Sequence, residues 1–139
     1  MKKTGLLNVA ISSAVAQLGH GNSLCISDAG LPVAKGVSMI DLAVSSGVPS
    51  FIDVLNATIS EMYVERVVIA AELEESKSQI YVKLQDVIRG LEASQNNSIK
   101  LETIPHVEFK TKTQDCLAVV RTGECTPFAN VILYAGVPF

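Results

Sequence analysis

Apolar residues recur every three to four positions in three segments, which predicts three amphipathic helices. The first covers residues 6–18, with Gly19 as its predicted C-cap. The second follows Pro49, which suits the first turn of a helix, and the third covers residues 77–92. The apolar positions of the three helices are Leu7, Ala10, Ile11, Ala14, Val15 and Leu18; Phe51, Val54, Leu55, Thr58, Ile59 and Met62; and Ile80, Leu84, Val87, Ile88 and Leu91.

Short segments rich in apolar and β-branched residues predict strands between these helices. The predicted strands are Ser23–Ser27, 39–44, 64–71, 99–104, 116–120 and 130–134. A further short helix is predicted over residues 107–112. The alternation of strands with helices predicts one α/β layered domain, residues 1–139, with a largely parallel sheet.

The composition favours a folded chain that buries apolar surface against other copies of itself. Hydrophobic residues make up 48% of the 139 residues and charged residues 18%, which is enough apolar content for a core. No run approaches the roughly 18 apolar residues of a membrane span, so we expect no membrane contact and ascribe the excess to a subunit interface. The net charge of −3, with no basic run beyond Lys2-Lys3, argues against nucleic acid as a partner.

The three cysteines, Cys25, Cys116 and Cys125, cannot all pair within one chain and show no CxxC spacing. We interpret them as buried free thiols in a reducing compartment, and we expect neither a metal site nor a cofactor. The first residues resemble a secretory signal, but Asn8 and Ser12-Ser13 interrupt the apolar run. The sequence therefore favours a cytoplasmic protein.

Few residues are candidates for chemistry, because the chain has only two histidines, His20 and His106. Asp28 follows the first predicted strand, and His106 follows the strand that ends at Ile104. Ligands gather at the carboxyl ends of strands in such sheets, and a histidine near a carboxylate transfers protons near neutral pH. The pattern indicates proton transfer on a small polar molecule.

Each of these residues also has a purely structural interpretation. His20 suits a helix terminus, where the dipole favours its charged form, and Asp28 suits a turn that its side chain holds together. His106 suits the start of the short helix, and Lys110, one turn later, suits a solvated helix face. The sequence alone leaves both interpretations open.

The segment 121–130 joins two apolar strands through polar and turn-forming residues. Asn130 offers a donor and an acceptor, which suits a sugar hydroxyl, although turn formation explains it equally well. Arg121 and Glu124 are candidates for an ion pair with each other, which is the structural interpretation of the segment.

Taken together, these segments resemble the family of ribose pyranases and fucose mutarotases. The resemblance covers nearly the whole chain, in order and with matching length. It lies in Met1-Lys2-Lys3, Leu7-Asn8, Leu18-Gly19-His20, Asp28-Ala29-Gly30-Leu31-Pro32, Ile40-Asp41-Leu42, Gly47-Val48-Pro49, Glu61-Met62, His106, Phe109-Lys110, Arg121-Thr122-Gly123-Glu124, Ala129-Asn130 and Ala135-Gly136-Val137.

The resemblance implies a three-layer α/β/α domain that assembles into a cyclic decamer. It implies an intramolecular isomerase that interconverts the pyranose and furanose forms of D-ribose without a cofactor. His20 would be the proton donor, with Asp28 holding its imidazole in the useful tautomer. The residues implied to contact the sugar, across a subunit boundary, are Asp28, His106, Lys110, Phe128, Ala129 and Asn130.

Two positions depart from the family pattern. Phe128 stands where the family usually has tyrosine, so the ring is kept and one hydroxyl is lost; Ala34 stands where proline is common. The change at Phe128 keeps open a mutarotase for another sugar, such as L-fucose. A ribose-binding accessory protein of a transport system, without catalysis, is a further alternative, because the same pocket would serve it.

Overall fold

The computed structural model describes residues 1–3 and 5–139, which form helices and strands in alternation. The helices are α1 (Val9–Gln17), α2 (Phe51–Ile59), α3 (Ala71–Ser76), α4 (Gln79–Gln95) and α5 (His106–Lys112), and a 3₁₀ turn over Thr113–Asp115 follows α5. The strands are β1 (Ser23–Ser27), β2 (Ser38–Asp41), β3 (Val64–Ala70), β4 (Lys100–Ile104), β5 (Ala118–Arg121) and β6 (Val131–Ala135). The predicted α/β class is confirmed.

The strands of the described residues form one mixed sheet in the order β2-β5-β1-β6-β3-β4. The pairs β2–β5, β1–β5 and β3–β4 are parallel, whereas β6 runs antiparallel to both β1 and β3. The sheet is thus largely parallel, as predicted, with an antiparallel strand near its centre. Because β6 is reversed, the residues before it lie at the carboxyl ends of β1 and β3.

The alternating side chains of the central strands pack into two separate cores, one on each face of the sheet. On β1, Leu24 and Ile26 join the larger core with α1, α2 and α4, whereas Cys25 joins the smaller core on the other face. Phe109 of α5 belongs to this smaller core and is fully buried. Helices therefore cover both faces, in agreement with the three layers that the resemblance implies.

Most element boundaries differ from the sequence prediction by one to three residues, two local predictions are wrong, and one helix was not predicted. Helix α1 ends at Gln17 with Leu18 as C-cap in an extended conformation, so Gly19 is not its cap. The positive φ of 79° in the following turn belongs to Gly21 instead. Helix α3 was not predicted, since its six residues are too few to show a helical period. Pro49 lies before the N-cap Ser50 of α2, outside the first turn.

The order of the strands decides where the two histidines lie. Asp28 directly follows β1, and the segment before β6 and the start of α5 lie at the same edge of the sheet. His20 precedes β1 and lies at the opposite edge. The five residues of β1 between them span about 16 Å, at roughly 3.3 Å per residue.

Candidate active site

Asp28 and Asn130 form a reciprocal hydrogen-bonded pair at the carboxyl edge of the sheet. The Asp28 backbone N–H donates to Asn130 Oδ1 at 2.9 Å, and Asn130 Nδ2 donates to Asp28 Oδ2 at 2.9 Å. Asn130 is fully buried, whereas Asp28 is half-buried. The pair fixes both side chains, so the part of the Asp28 carboxylate that remains accessible has a set direction.

Asp28 also has the turn role that the sequence allowed. Its Oδ1 accepts the Gly30 N–H at 2.9 Å, and the intervening Ala29 N–H donates to the Glu124 carbonyl at 2.8 Å. The 28–30 turn is therefore tied to the 121–130 segment. An open pocket of about 390 Å³ lies between these two loops, with Asp28 and Glu124 among its lining residues.

Phe128 and His106 form an aromatic corner beside this pair. Their ring centroids are 5.0 Å apart in an edge-to-face arrangement, and Phe109 stacks on the other side of His106 with centroids at 6.2 Å. Phe128 adopts a φ of 65°, a left-handed conformation that is strained for an aromatic residue. Such strain concentrates at ligand-binding positions, and the Phe128 ring is half-buried beside His106.

His106 is the first residue of α5, and its backbone N–H donates to the Glu72 carboxylate at 2.9 Å. Its Nδ1 is buried and has no hydrogen-bond partner among the described residues. Lys110 is half-buried one turn later on the same face of α5. The helix therefore presents an imidazole and an ammonium group along the same side.

In the 121–127 loop, Arg121 and Glu124, the candidate ion pair, each bind other partners. Arg121 pairs with Asp41 on the neighbouring strand, with Nε at 2.9 Å from Oδ1. Glu124 instead accepts the backbone N–H groups of Cys125 and Thr126, each at 3.0 Å. Burial alone would raise the pKa of Glu124, but these N–H groups stabilise the carboxylate, and the pKa is lowered overall.

His20 lies outside this group, in the turn between α1 and β1. Its Nε2 is 2.9 Å from Glu65 Oε2, and the two side chains are 61% and 42% exposed. Within one chain, Asp28 does not hold His20, because β1 separates them and Asp28 bonds to Gly30 and Asn130. The carboxylate that contacts His20 is Glu65, at the start of β3.

Sequence reasoning missed Glu65 and Glu72, the carboxylates that contact the two histidine residues. Glu65 lies within an apolar strand segment. The sequence alone does not distinguish an acidic residue that contacts a histidine from one that only faces solvent. Glu72 lies in the unpredicted helix α3. As to metal ions, residues 1–3 and 5–139 contain no group of three or more His, Cys, Asp or Glu side chains arranged to hold one.

The carboxyl edge suits a small polyhydroxylated ligand. A carboxylate, an amide, an imidazole and an ammonium group supply both donors and acceptors, and the Phe128 ring supplies an apolar wall. Ala129 is fully buried between Phe128 and Asn130 and contributes backbone groups at the same place.

Comparison with known families places the whole chain in one group. Residues 1–138 match the model of the RbsD / FucU transport protein family. Two curated relatives are the D-ribose pyranase of Haemophilus influenzae, 53% identical, and that of Pasteurella multocida, 49% identical. Each comparison covers 139 residues and 100% of both chains.

Solved structures agree with the sequence comparison. The structure of Bacillus subtilis RbsD complexed with D-ribose is 43% identical, covers 100% of both chains and superposes with a TM-score of 0.89. The fucose mutarotase of Streptococcus pneumoniae, solved in complex with L-fucose, is 20% identical with a TM-score of 0.79 and covers 99% of both chains. At this lower identity, the second comparison shows the fold alone.

Proposed function

Because the chain belongs to the RbsD / FucU transport protein family, we propose that it is a D-ribose pyranase, a sugar ring isomerase. It interconverts the pyranose and furanose forms of D-ribose. The observation that carries this function is the full-length relation to D-ribose pyranases, at 53% identity, and to a ribose-bound structure, at 43%. The geometry of the carboxyl edge supports it, since donors, acceptors and an aromatic wall meet there.

We assign the sugar-binding residues to that edge. Asp28 and Asn130 would bind hydroxyls, since their mutual hydrogen bonds hold both side chains in place before the ligand arrives. His106 and Lys110 would bind hydroxyls from α5. Phe128 would pack against one face of the sugar, and the backbone of Ala129 would border it.

His20 is the proposed proton donor, supplied by a neighbouring subunit. Within one chain it lies at the far edge of the sheet from Asp28. Its imidazole is 61% exposed, so a second chain can present its carboxyl edge to it. A site built from two chains accounts for both the separation and the exposure.

The proposed assembly is a homo-oligomer, a cyclic decamer, with sites shared between subunits. Several large apolar side chains are exposed on one chain and would be buried by such contacts. They include Leu7 (63%), Val9 (82%), Met39 (49%) and Val107 (70%). Light scattering that finds a soluble monomer at micromolar concentration would contradict the assembly and the shared site together.

The reaction needs proton transfers and no change of oxidation state. A proton leaves the anomeric hydroxyl while the ring oxygen gains one, and the bond between the anomeric carbon and the ring oxygen breaks. The open aldehyde rotates, a different hydroxyl attacks the carbonyl carbon, and the protons return. One well-placed acid–base group such as His20 accelerates these steps by about 10²–10⁴-fold. Metal, redox cofactor and phosphate have no part in this sequence.

We propose the cytoplasm as the compartment. The cysteines are free thiols in the described structure. Cys25 and Cys116 are buried as predicted, whereas Cys125, in the loop between β5 and β6, is exposed, contrary to the prediction. An exposed free thiol is typical of a reducing environment. No helix of the described residues is long and apolar enough to cross a bilayer.

Saturation-transfer NMR of D-ribose tests the proposed activity directly, because it detects exchange between ring forms at equilibrium. We expect the protein to accelerate exchange between the anomeric signals of the pyranose and furanose forms at neutral pH. Exchange no faster than in buffer, with ribose still bound, would indicate the binding-only alternative. Faster exchange for L-fucose than for D-ribose would indicate a mutarotase of the other specificity.

A further inference from the structure

Glu65 contacts His20, but the proposed function assigns it no role. We infer that Glu65 is a positioning residue: it holds the ring proton of neutral His20 on Nε2, so that Nδ1 exchanges a proton with the sugar. The inference rests on the proposed ring isomerisation. A carboxylate only accepts hydrogen bonds, so the 2.9 Å contact between Glu65 Oε2 and His20 Nε2 requires the hydrogen to lie on Nε2.

A β-bulge sets the direction of Glu65. Val64 pairs with Ala135 and Arg66 with Tyr134, so two steps along β3 oppose one step along β6, and Glu65 is the extra residue. The irregularity interrupts the alternation of side chains.

The bulge decides which residue enters the larger core. In a regular strand Glu65 would face the same side as Val67, which lies in that core. Val64 takes the core position instead and is fully buried, whereas Glu65 stays 42% exposed and reaches His20. Bulges of this kind are common beside active sites, where they redirect a side chain.

Gly136, directly after β6, leaves the space that the Glu65 side chain occupies. A Cβ at Gly136 would lie 3.0 Å from Glu65 Cβ, 3.1 Å from Glu65 Oε2 and 3.1 Å from Tyr63 Cδ1. These distances are tighter than ordinary contacts, so a methyl group at Gly136 would crowd the Glu65 side chain and the Tyr63 ring and force a shift of a few tenths of an ångström. Gly136 does not require a positive φ, and an alanine there changes space without changing charge.

The turn that carries His20 is anchored to the same place. The Gly21 N–H donates to the Ala135 carbonyl at 2.8 Å, and the Ala135 N–H donates to the Asn22 carbonyl at 2.8 Å. Asn22 Oδ1 also accepts the Gly19 N–H at 2.8 Å. Backbone and carboxylate together restrict an otherwise exposed imidazole, which preorganises it for proton transfer.

The test uses three variants of the full chain and two measurements. Glu65→Gln removes the charge, Gly136→Ala crowds the Glu65 side chain, and Asp86→Asn is the control. Asp86 is 62% exposed on α4 and pairs there with Arg89, so its variant also removes one carboxylate from an exposed ion pair. Saturation-transfer NMR gives kcat and KM for ribose exchange. The ¹⁵N signals of the imidazole give the tautomer, and loss of signals in His20→Ala assigns them.

We expect wild-type His20, when neutral, to carry its proton on Nε2. Glu65→Gln and Gly136→Ala should lower kcat by about tenfold or more with little change in KM, because orientation of the acid–base group is lost while sugar contacts stay. Both variants should shift the ¹⁵N pattern towards a mixture of tautomers. Asp86→Asn should change neither measurement.

Two results would overturn the inference. A wild-type His20 protonated on Nδ1 would do so without any variant, even if the variants fail to fold. Unchanged kcat and ¹⁵N pattern in Glu65→Gln would also do so, provided that the wild type accelerates exchange. Absence of acceleration in the wild type would instead contradict the proposed function. In that case the ¹⁵N measurement of the His20 tautomer would still test whether Glu65 holds the proton on Nε2.

Discussion

The two edges of the sheet place their polar groups in opposite environments. The carboxyl edge carries the proposed sugar-binding residues Asp28, His106, Phe128 and Asn130 and is called the binding edge below. There the amide of Asn130 is fully buried and hydrogen-bonded twice to Asp28. At the His20 edge, formed by His20 and Glu65, the imidazole is 61% exposed and its Nε2 lies 2.9 Å from the Glu65 carboxylate. The difference indicates that the binding edge is tied into the folded core, whereas the His20 edge is an exposed surface. In the proposed assembly, this exposed surface faces another chain.

Because of this difference, we expect substitutions at the two edges to affect stability and catalysis differently. Substitutions at the binding edge remove buried hydrogen bonds and should cost stability as well as affinity. Substitutions at the His20 edge alter exposed groups, which contribute little to stability. The following predictions test that separation, starting with the largest effect.

His20→Ala should produce the largest loss of activity with the smallest loss of stability. We expect ribose exchange to fall by about 10²–10⁴-fold, the contribution of one acid–base group, while the melting temperature stays within a degree or two of the wild type. NMR exchange and thermal melting of the same sample measure both. A variant that retains near-full exchange would remove His20 from the mechanism and direct attention to His106.

Mixed oligomers test whether the two edges meet in different chains. His20→Ala and Asp28→Asn should each be nearly inactive alone. Unfolded together and refolded as mixed rings, they should regain up to about a quarter of wild-type activity, since random assembly pairs two intact edges in that fraction of interfaces. No recovery, with mixing of subunits verified by mass spectrometry, would place the whole site within one chain.

Asn130→Ala should weaken both stability and ribose binding. The substitution leaves the Asp28 N–H and Asp28 Oδ2 without their Asn130 partners, at a cost of about 1–3 kcal/mol. We expect a melting temperature several degrees lower and weaker binding in calorimetric titration. Asn56→Ala, at an exposed position on α2, is the matched control and should change neither. Full stability in Asn130→Ala would contradict the view that the binding edge belongs to the core.

Phe128→Tyr should have the smallest effect, a gain in ribose affinity. One added neutral hydrogen bond is worth about 0.5–1.5 kcal/mol, or roughly two- to twelvefold in affinity. Phe51→Tyr is the control, because Phe51 is fully buried and a hydroxyl there should lower the melting temperature without changing affinity. If Phe128→Tyr behaves like this control, Phe128 packs in the core and does not contact the sugar.

Periodicity predicted most of the fold because the core faces of its longer elements repeat regularly. The stripe from Phe51 to Thr58 is buried along α2 as predicted, and the apolar runs around Cys25 and Ile132 form central strands. The end of α1 was misjudged, since backbone hydrogen bonds to Ala135, far along the chain, shape the turn after it. Helix α3 was missed because only Leu73 in it is buried.

The candidate site was predicted only in part. Residue types and family resemblance indicated His20, Asp28, His106 and Asn130, and the fold brings the last three to one edge. The partners of these residues were beyond reach of the sequence, because Glu65 lies 45 positions from His20 and Asn130 lies 102 positions from Asp28.

The sequence by itself determined the α/β class, most of the apolar helix faces and strands, and the identity of the groups able to transfer protons. These features follow from local periodicity and from side-chain chemistry, which each segment carries with it. The tertiary structure decided which groups meet. The reversed direction of β6 brings Phe128 and Asn130 to Asp28, and the bulge at Glu65 turns a carboxylate out of the core towards His20. Both depend on strand pairing between distant segments, which no local pattern encodes.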